Sequence, residues 1–153
     1  MHALPPKRRS ELWSRLIPSA GQGQLVLPRC RDCETVQYPL REICGNCLGD
    51  NLEWGPVPAG GKLVSWTRLH ASVEPFFREH LPWPVGSVKL DCGPVVIAHL
   101  AVATPVTGMP VSVLPFLDGN GAPVLVIVPE GDGDISGPVS ALVSDTVRRG
   151  QGE

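Results

Sequence analysis

The sequence predicts a mainly β protein, and three observations carry that reading. Seventeen prolines and seventeen glycines exceed average usage, and punctuation that dense favours short strands joined by turns over helices. Five runs of strand-forming residues follow one another between residues 62 and 130. Two C-x2-C pairs, Cys30/Cys33 and Cys44/Cys47, lie in a segment too small to bury a core of its own. Hydrophobic content of 42% and charged content of 18% are those of a packed chain, not a disordered one.

Taken in order, residues 1–24 read as an appendage. Ser10 is placed to cap a short helix, SELWSRLI, with Leu12, Trp13, Leu16 and Ile17 on one face and Pro18 as its stop. Two turns of helix are not stable alone, so that face must rest on its own domain or on a partner. Residues 25–54 hold the cysteines: LVLPRC leads into the first pair, TVQYPLREIC joins the pairs and LGDNLEW leads out. GPVPAGG (55–61) reads as a linker.

The strand-like runs are 62–71, 84–91, 94–102, 110–117 and 122–130. Some alternate, with Val88 and Leu90 set against Ser87, Lys89 and Asp91, and others are apolar throughout, as a strand buried on both faces is. Cys92-Gly93 and LDGNGA are turn-like, so the second and third runs and the fourth and fifth form hairpins. Five short strands with a longer loop after the first fit a small barrel of the OB type over 62–130. Residues 131–153, rich in turn formers and charges, read as a flexible tail with one helical turn near 140–147.

Ten residues separate the cysteine pairs, enough for a strand and its return. One tight turn can aim two sulfurs at the same ion, and a second pair then closes a tetrahedral shell. Cys30, Cys33, Cys44 and Cys47 are therefore the expected metal ligands. Four thiolates leave no open position for water or substrate, which points to a structural Zn2+, one per chain, rather than a catalytic one. A single iron in the same sulfurs, as in an electron carrier, is the alternative that spacing does not separate. A redox dithiol is the weaker reading, because no βαβ pattern surrounds either pair. Paired cysteines used as metal ligands fit a reducing cytoplasm.

The rest of the chain shows no constellation for catalysis. Of the four histidines, His2, His70, His80 and His99, His99 lies in the apolar run VVIAHLAV, where a hydrogen-bonded core role is expected, and neither His70 nor His80 has a Ser, Cys or carboxylate at a triad-like spacing. Asp132 and Asp134 read as a solvated pair, and Cys92 as a surface or half-buried thiol. No P-loop, dinucleotide fingerprint or H-E-x-x-H motif is present. A net charge of −2 supplies no field for nucleic acid or an anionic membrane. No apolar run approaches the ~20 residues needed to span a bilayer, and Arg15 interrupts what would be the core of a secretory signal. An OB barrel that binds single strands needs cations and aromatic platforms. Residues 84–102 offer Lys89 alone and no Phe, Tyr or Trp, although Trp66 and Trp83 lie near. Nucleic-acid binding is thus the runner-up.

From about residue 11 to residue 130, the order of elements resembles the zinc-ribbon/OB-fold proteins associated with acyl-CoA metabolism. The matching residues are the four cysteines, Leu52-Glu53-Trp54, Gly61 through His70, VKLDCGPVVIAHL and GMPVSV. The family often has glycine after the first C-x2-C, where this chain has Glu34, so one knuckle of the ribbon is expected to be reshaped. The resemblance implies a rubredoxin-like zinc ribbon followed by the OB barrel. It also implies a non-catalytic subunit that partners a thiolase-type enzyme, hydroxymethylglutaryl-CoA synthase, a hydratase or an aldolase and completes or bridges an acyl-CoA site. Only Cys30, Cys33, Cys44 and Cys47 carry over residue by residue. Lys62, Arg68, Arg78 and Lys89 are cations available to CoA phosphates.

Overall fold

The computed structural model describes residues 2–7, 10–131 and 134–143. Two sheets make up its β structure. The first is a two-stranded antiparallel ribbon in which β1 (Leu25–Cys30) runs against β2 (Leu52–Val57), from Leu25 opposite Val57 to Cys30 opposite Leu52. The second is a closed barrel of β3 (Gly60–Leu69), β4 (Trp83–Leu90), β5 (Val95–Leu100), β6 (Pro110–Leu117) and β7 (Pro123–Pro129), in the order β3-β4-β5-β7-β6. Closure comes from Gly60–Lys62 pairing with Pro110–Ser112, and the β5–β7 contact is the parallel one. The two expected hairpins, β4–β5 and β6–β7, are antiparallel neighbours. This is the predicted fold class: mainly β, with a short N-terminal helix, a four-cysteine cluster and a five-stranded OB-type barrel.

Two apolar cores lie on either side of β7. Leu125 and Ile127 face the barrel interior with Leu63, Val88, Leu90, Val96, Leu100, Val111 and Val113. Val124, Val126 and Val128 face a second core with Phe76, Trp83, Phe116, Val139 and Leu142. Every residue of β7 up to Val128 is buried, as an apolar run covered on both sides should be. The equally apolar β5 behaves differently. Val96, Ala98 and Leu100 are buried while Val95 and Ile97 stand 50% and 69% exposed, so its outer face is uncovered. Gly86 on β4 faces inward, where a Cβ would come within 2.9 Å of Ile127 Cδ1 and 3.1 Å of Leu63 Cδ1. Glycine is the residue that lets the wall pack there.

The segments outside the barrel depart from the sequence reading in instructive ways. The helix α1 spans only Glu11–Ser14, and Ser10 occupies the N-cap position without a side-chain capping bond. Pro18 does not end the helix but sits within a 3-10 turn, Ile17–Ser19. That change of winding splits the expected apolar face. Leu16 is fully buried in the barrel core and Trp13 packs against it, whereas Ile17 is turned outward. The appendage therefore rests on its own protein through Leu16. In the expected linker 55–61, Gly55–Val57 complete β2 and Gly60–Gly61 open β3, leaving Pro58 and Ala59 between strands. The loop after β3 holds a helical turn, α2 (Pro75–Arg78), which carries Phe76 into the second core. The flexible-tail reading is corrected for residues 134–143. A 3-10 turn at Gly137–Ala141 buries Val139, and Leu142 and Val143 follow it into the second core, where they join Phe76, Trp83 and Phe116 over β7's outer face. Residues 144–147 of the expected helical turn, and Asp132, lie outside the described residues.

No helix among the described residues is long and apolar enough to cross a membrane.

Candidate metal centre

Each C-x2-C pair sits on a knuckle, and the two knuckles are built alike. The Cys30 N–H donates to the Thr35 carbonyl at 2.9 Å and the Cys44 N–H to the Gly49 carbonyl at 2.8 Å. The Glu34 N–H returns to the Cys30 carbonyl at 2.8 Å and the Leu48 N–H to the Cys44 carbonyl at 3.1 Å. Both turns close through a residue in the left-handed region, Glu34 at φ 65° and Leu48 at φ 64°. Glycine takes that conformation without strain, and other residues take it at a cost of about 1–2 kcal/mol. The expectation that Glu34 reshapes its knuckle is therefore corrected: the non-glycine residue adopts glycine's conformation, and the second knuckle makes the same demand of Leu48.

The knuckles bring the four sulfurs together within 4.8 Å of one another. Cys30 Sγ lies 3.6 Å from Cys47 Sγ and Cys33 Sγ lies 3.5 Å from Cys44 Sγ. These separations are far beyond the about 2.0 Å of a disulfide. They are close to the about 3.8 Å edge of a tetrahedron with metal–sulfur bonds of about 2.3 Å. Electrostatics point the same way. Hydrogen bonding from Thr35, side chain and then backbone, and from Asn46 lowers the Cys33 thiol to about 6. The Cys47 backbone, with Asn46 behind it, favours the Cys44 thiolate. The Gly49 backbone favours the Cys47 thiolate too, but the Cys30, Cys33 and Cys44 sulfurs outweigh it and push Cys47 up to about 12. Four thiolates this close cannot all ionise alone, and a divalent cation is what lets them do so. The donor set fits one soft, tetrahedral ion.

Sequence reasoning missed Gln37. It is buried, with 3% of its surface exposed, and its amide is fully used. Nε2 donates to the Thr35 carbonyl at 2.9 Å and lies 3.3 Å from Cys44 Sγ, while Oε1 accepts the Gly45 N–H at 2.9 Å. A signal for it was present: Val36, Tyr38 and Leu40 alternate toward the barrel core, which sends the residue between the first two to the other face. At the ribbon's edge, Arg31 and Glu53 form a two-point ion pair, Nε to Oε2 and Nη2 to Oε1, both 2.8 Å.

The other candidate residues are dispersed. His99 is half-buried and its Nδ1 accepts the Trp83 Nε1–H at 2.9 Å, the expected hydrogen-bonded role. His80 Nδ1 donates to the Phe76 carbonyl at 2.8 Å, His2 lies 3.9 Å from Glu79, and His70 is exposed. Cys92 is half-buried, and burial pushes its thiol up. Asp134 is exposed. Among the described residues, the four cysteines are the one grouping of three or more His, Cys, Asp or Glu side chains able to converge on an ion. Of the four cations considered for CoA phosphates, Lys62 and Lys89 face each other across β3 and β4. Arg78 bonds the Ser72 carbonyl on its own loop. Arg68 lies over Trp66, 5.6 Å from the ring centroid, at the rim of a cleft of about 390 Å³ lined by Leu81, Pro84, Leu100 and Pro138. Trp83 is core, and Trp66 is partly exposed.

Residues 19–53 match the family model of the ChsH2 rubredoxin-like zinc ribbon domain, and residues 54–114 match that of the ChsH2 C-terminal OB-fold domain. A DUF35 domain-containing scaffold protein of Pyrococcus furiosus is 34% identical over 68 residues, which cover 44% of this chain and 49% of that protein. The match thus spans about half the length of that relative. Among solved structures, one described as an Ltp2-ChsH2(DUF35) aldolase superposes with a TM-score of 0.65 at 23% identity, covering 82% of this chain and 98% of that one. A DUF35-family protein of unknown function from Sulfolobus solfataricus superposes with a TM-score of 0.51 at 13% identity, covering 74% and 81%. At those identities the structural likenesses speak for the fold. Through two adjoining domains that together take in residues 19–114, the chain belongs to the ChsH2-type zinc-ribbon/OB-fold family.

Proposed function

We propose that this chain is a non-catalytic accessory subunit of an acyl-CoA enzyme, with an aldolase as the leading partner and thiolase-type enzymes or hydratases as the others. In this reading Cys30, Cys33, Cys44 and Cys47 bind one structural Zn2+. The observation that carries it is the closed sulfur cluster: four thiolates within 4.8 Å satisfy a tetrahedral ion completely and leave it no position for chemistry. The names of the relatives, a scaffold protein and a ChsH2 found with an aldolase, support the same role. Zinc is preferred to iron because a ribbon that only needs holding together gains nothing from a redox ion.

The Trp66–Arg68 cleft is where this chain would help form an acyl-CoA site. Its lining is largely apolar, with one guanidinium at the rim. That combination suits an acyl or pantetheine chain with a phosphate beyond it. The test is co-expression with the acyl-CoA aldolases, thiolase-type enzymes and hydratases encoded in the same genome. The expected result is a stable complex with one of them, in which turnover depends on both chains and the isolated chain turns over nothing. Acyl-CoA turnover by the purified chain alone, or failure to associate with any of these enzymes, overturns the reading. A colourless preparation with zinc supports the zinc assignment, whereas red protein with thiolate-to-iron absorption replaces it with iron.

A further inference from the structure

Gln37 stands out as a buried polar side chain whose partners all belong to the two knuckles. An amide buried at 3% exposure is costly unless each of its groups is bonded. Here the bonds run to opposite sides of the cluster. On one side is the Thr35 carbonyl, which itself receives the Cys30 N–H. On the other are the Cys44 sulfur and the Gly45 N–H, at 3.3 and 2.9 Å. The orientation of the amide is fixed by its contacts, because a flipped amide would aim its NH2 at the Gly45 N–H and its oxygen at the Thr35 carbonyl. The backbone of Gln37 is held as well, its N–H donating to the Pro28 carbonyl of β1 at 2.8 Å. Its neighbours Val36 and Tyr38 point into the shared apolar core.

From this geometry we infer that Gln37 is the positioning residue of the metal centre: it sets the distance between the two cysteine pairs and donates a hydrogen bond to the sulfur of Cys44. A hydrogen bond to a metal-bound thiolate withdraws charge from the sulfur and holds it in place. Partners of this kind typically change metal affinity by about 10–100-fold. One knuckle is then not free to drift from the other when an ion enters, and the segment 36–40, anchored in the core by Val36, Tyr38 and Leu40, connects the centre to the barrel. The inference rests on the four cysteines being metal ligands, and the test separates the two claims.

The experiment uses the full chain loaded with cobalt(II), whose thiolate-to-metal absorption reports on the sulfurs directly. Three variants are compared with the parent: Gln37→Met, an apolar side chain of similar length; Gln37→Glu, which removes both amide donors; and Val36→Ala. Val36→Ala weakens the same segment through the core without touching the sulfurs. The expected result for Gln37→Met and Gln37→Glu is at least a tenfold loss of cobalt affinity against a competing chelator, with the charge-transfer band moved to longer wavelength. Removing a hydrogen bond raises the sulfur lone pairs in energy, which gives the direction of that shift. Val36→Ala lowers the melting temperature and leaves the band where it is. Unchanged affinity and an unmoved band in a folded Gln37→Met protein overturn the inference, as does an equal band shift in Val36→Ala. A parent chain that binds no cobalt overturns the metal reading itself.

Discussion

The ribbon and the barrel are neighbouring β structures of one chain, yet different forces hold them. The barrel has an inside: Leu63, Val88, Leu90, Val96, Leu100 and Ile127 fill it almost without exposure, and its strands close on themselves. The ribbon has none. Its buried apolar side chains, Leu25, Leu27, Val36 and Val57, all belong to the barrel's core cluster. What lies at its own centre is four sulfurs and the amide of Gln37. Two strands and two knuckles cannot repay their conformational entropy with so little apolar burial, so the ribbon needs an ion where the barrel needs only packing.

That contrast is broken most severely at the sulfurs. Cys44→Ser is expected to release the metal and unfold the ribbon. The effect is on the scale of the about 10–16 kcal/mol of apparent binding free energy that such sites couple to folding. Metal analysis together with proteolysis between residues 25 and 57 measures it, and a variant that keeps both its metal and its resistance contradicts the ligand assignment. Leu63→Ala comes next. It empties a fully buried barrel position and should cost about 2–5 kcal/mol in denaturant unfolding while leaving one metal per chain. Loss of metal from that variant would show that the two parts are not separately held.

Leu48→Gly acts on the ribbon alone and in the opposite direction. Leu48 is 78% exposed with φ 64°, so glycine relieves backbone strain and removes no packing. Stability should rise by up to about 1 kcal/mol, since the entropy glycine loses on folding offsets part of the gain. A clear destabilisation would mean that the knuckle is not strained there. The smallest effect belongs to the Arg31–Glu53 pair on the ribbon's edge, which is solvent-exposed on both sides. Hydrogen bonding to Arg31, then its positive charge, lowers the Glu53 carboxyl, and hydrogen bonding to Glu53, then its negative charge, raises the Arg31 guanidinium. A depressed carboxyl contributes stability above its unfolded value of about 4.3 and loses it as pH falls through its lower folded value. The raised Arg31 guanidinium keeps its contribution throughout the neutral range and loses it only at strongly alkaline pH. Parent and Glu53→Gln should therefore differ slightly and constantly in thermal melts from pH 6 to 8. A difference that grows across that range would contradict this account.

Much of this contrast was legible in the residues. Strand-forming runs between turn signals marked the five barrel strands and both hairpins, because alternation and Gly-rich turns are local properties. The paired cysteines marked the cluster, because C-x2-C spacing is itself the geometry of a knuckle. What stayed hidden depends on distant partners. VVIAHL and PVLVIV look equally apolar, and it is the packing of Phe76, Trp83, Phe116, Val139 and Leu142 that buries the outer face of β7 while β5 keeps Ile97 exposed. The same packing turned an expected tail into part of the core. Gln37 was half legible: the alternation of Val36, Tyr38 and Leu40 turns its side chain away from the core, but its role follows from three bonds to residues on both sides of it.

The most direct test of the account is hydrogen exchange on the full chain, read by mass spectrometry before and after a strong chelator, together with metal analysis of the starting protein. The account predicts one zinc per chain. It also predicts that chelation exposes the amides of residues 25–57 while β3 through β7 remain protected. A chain that carries no metal yet protects its ribbon fully, or one whose barrel opens together with the ribbon, would contradict it.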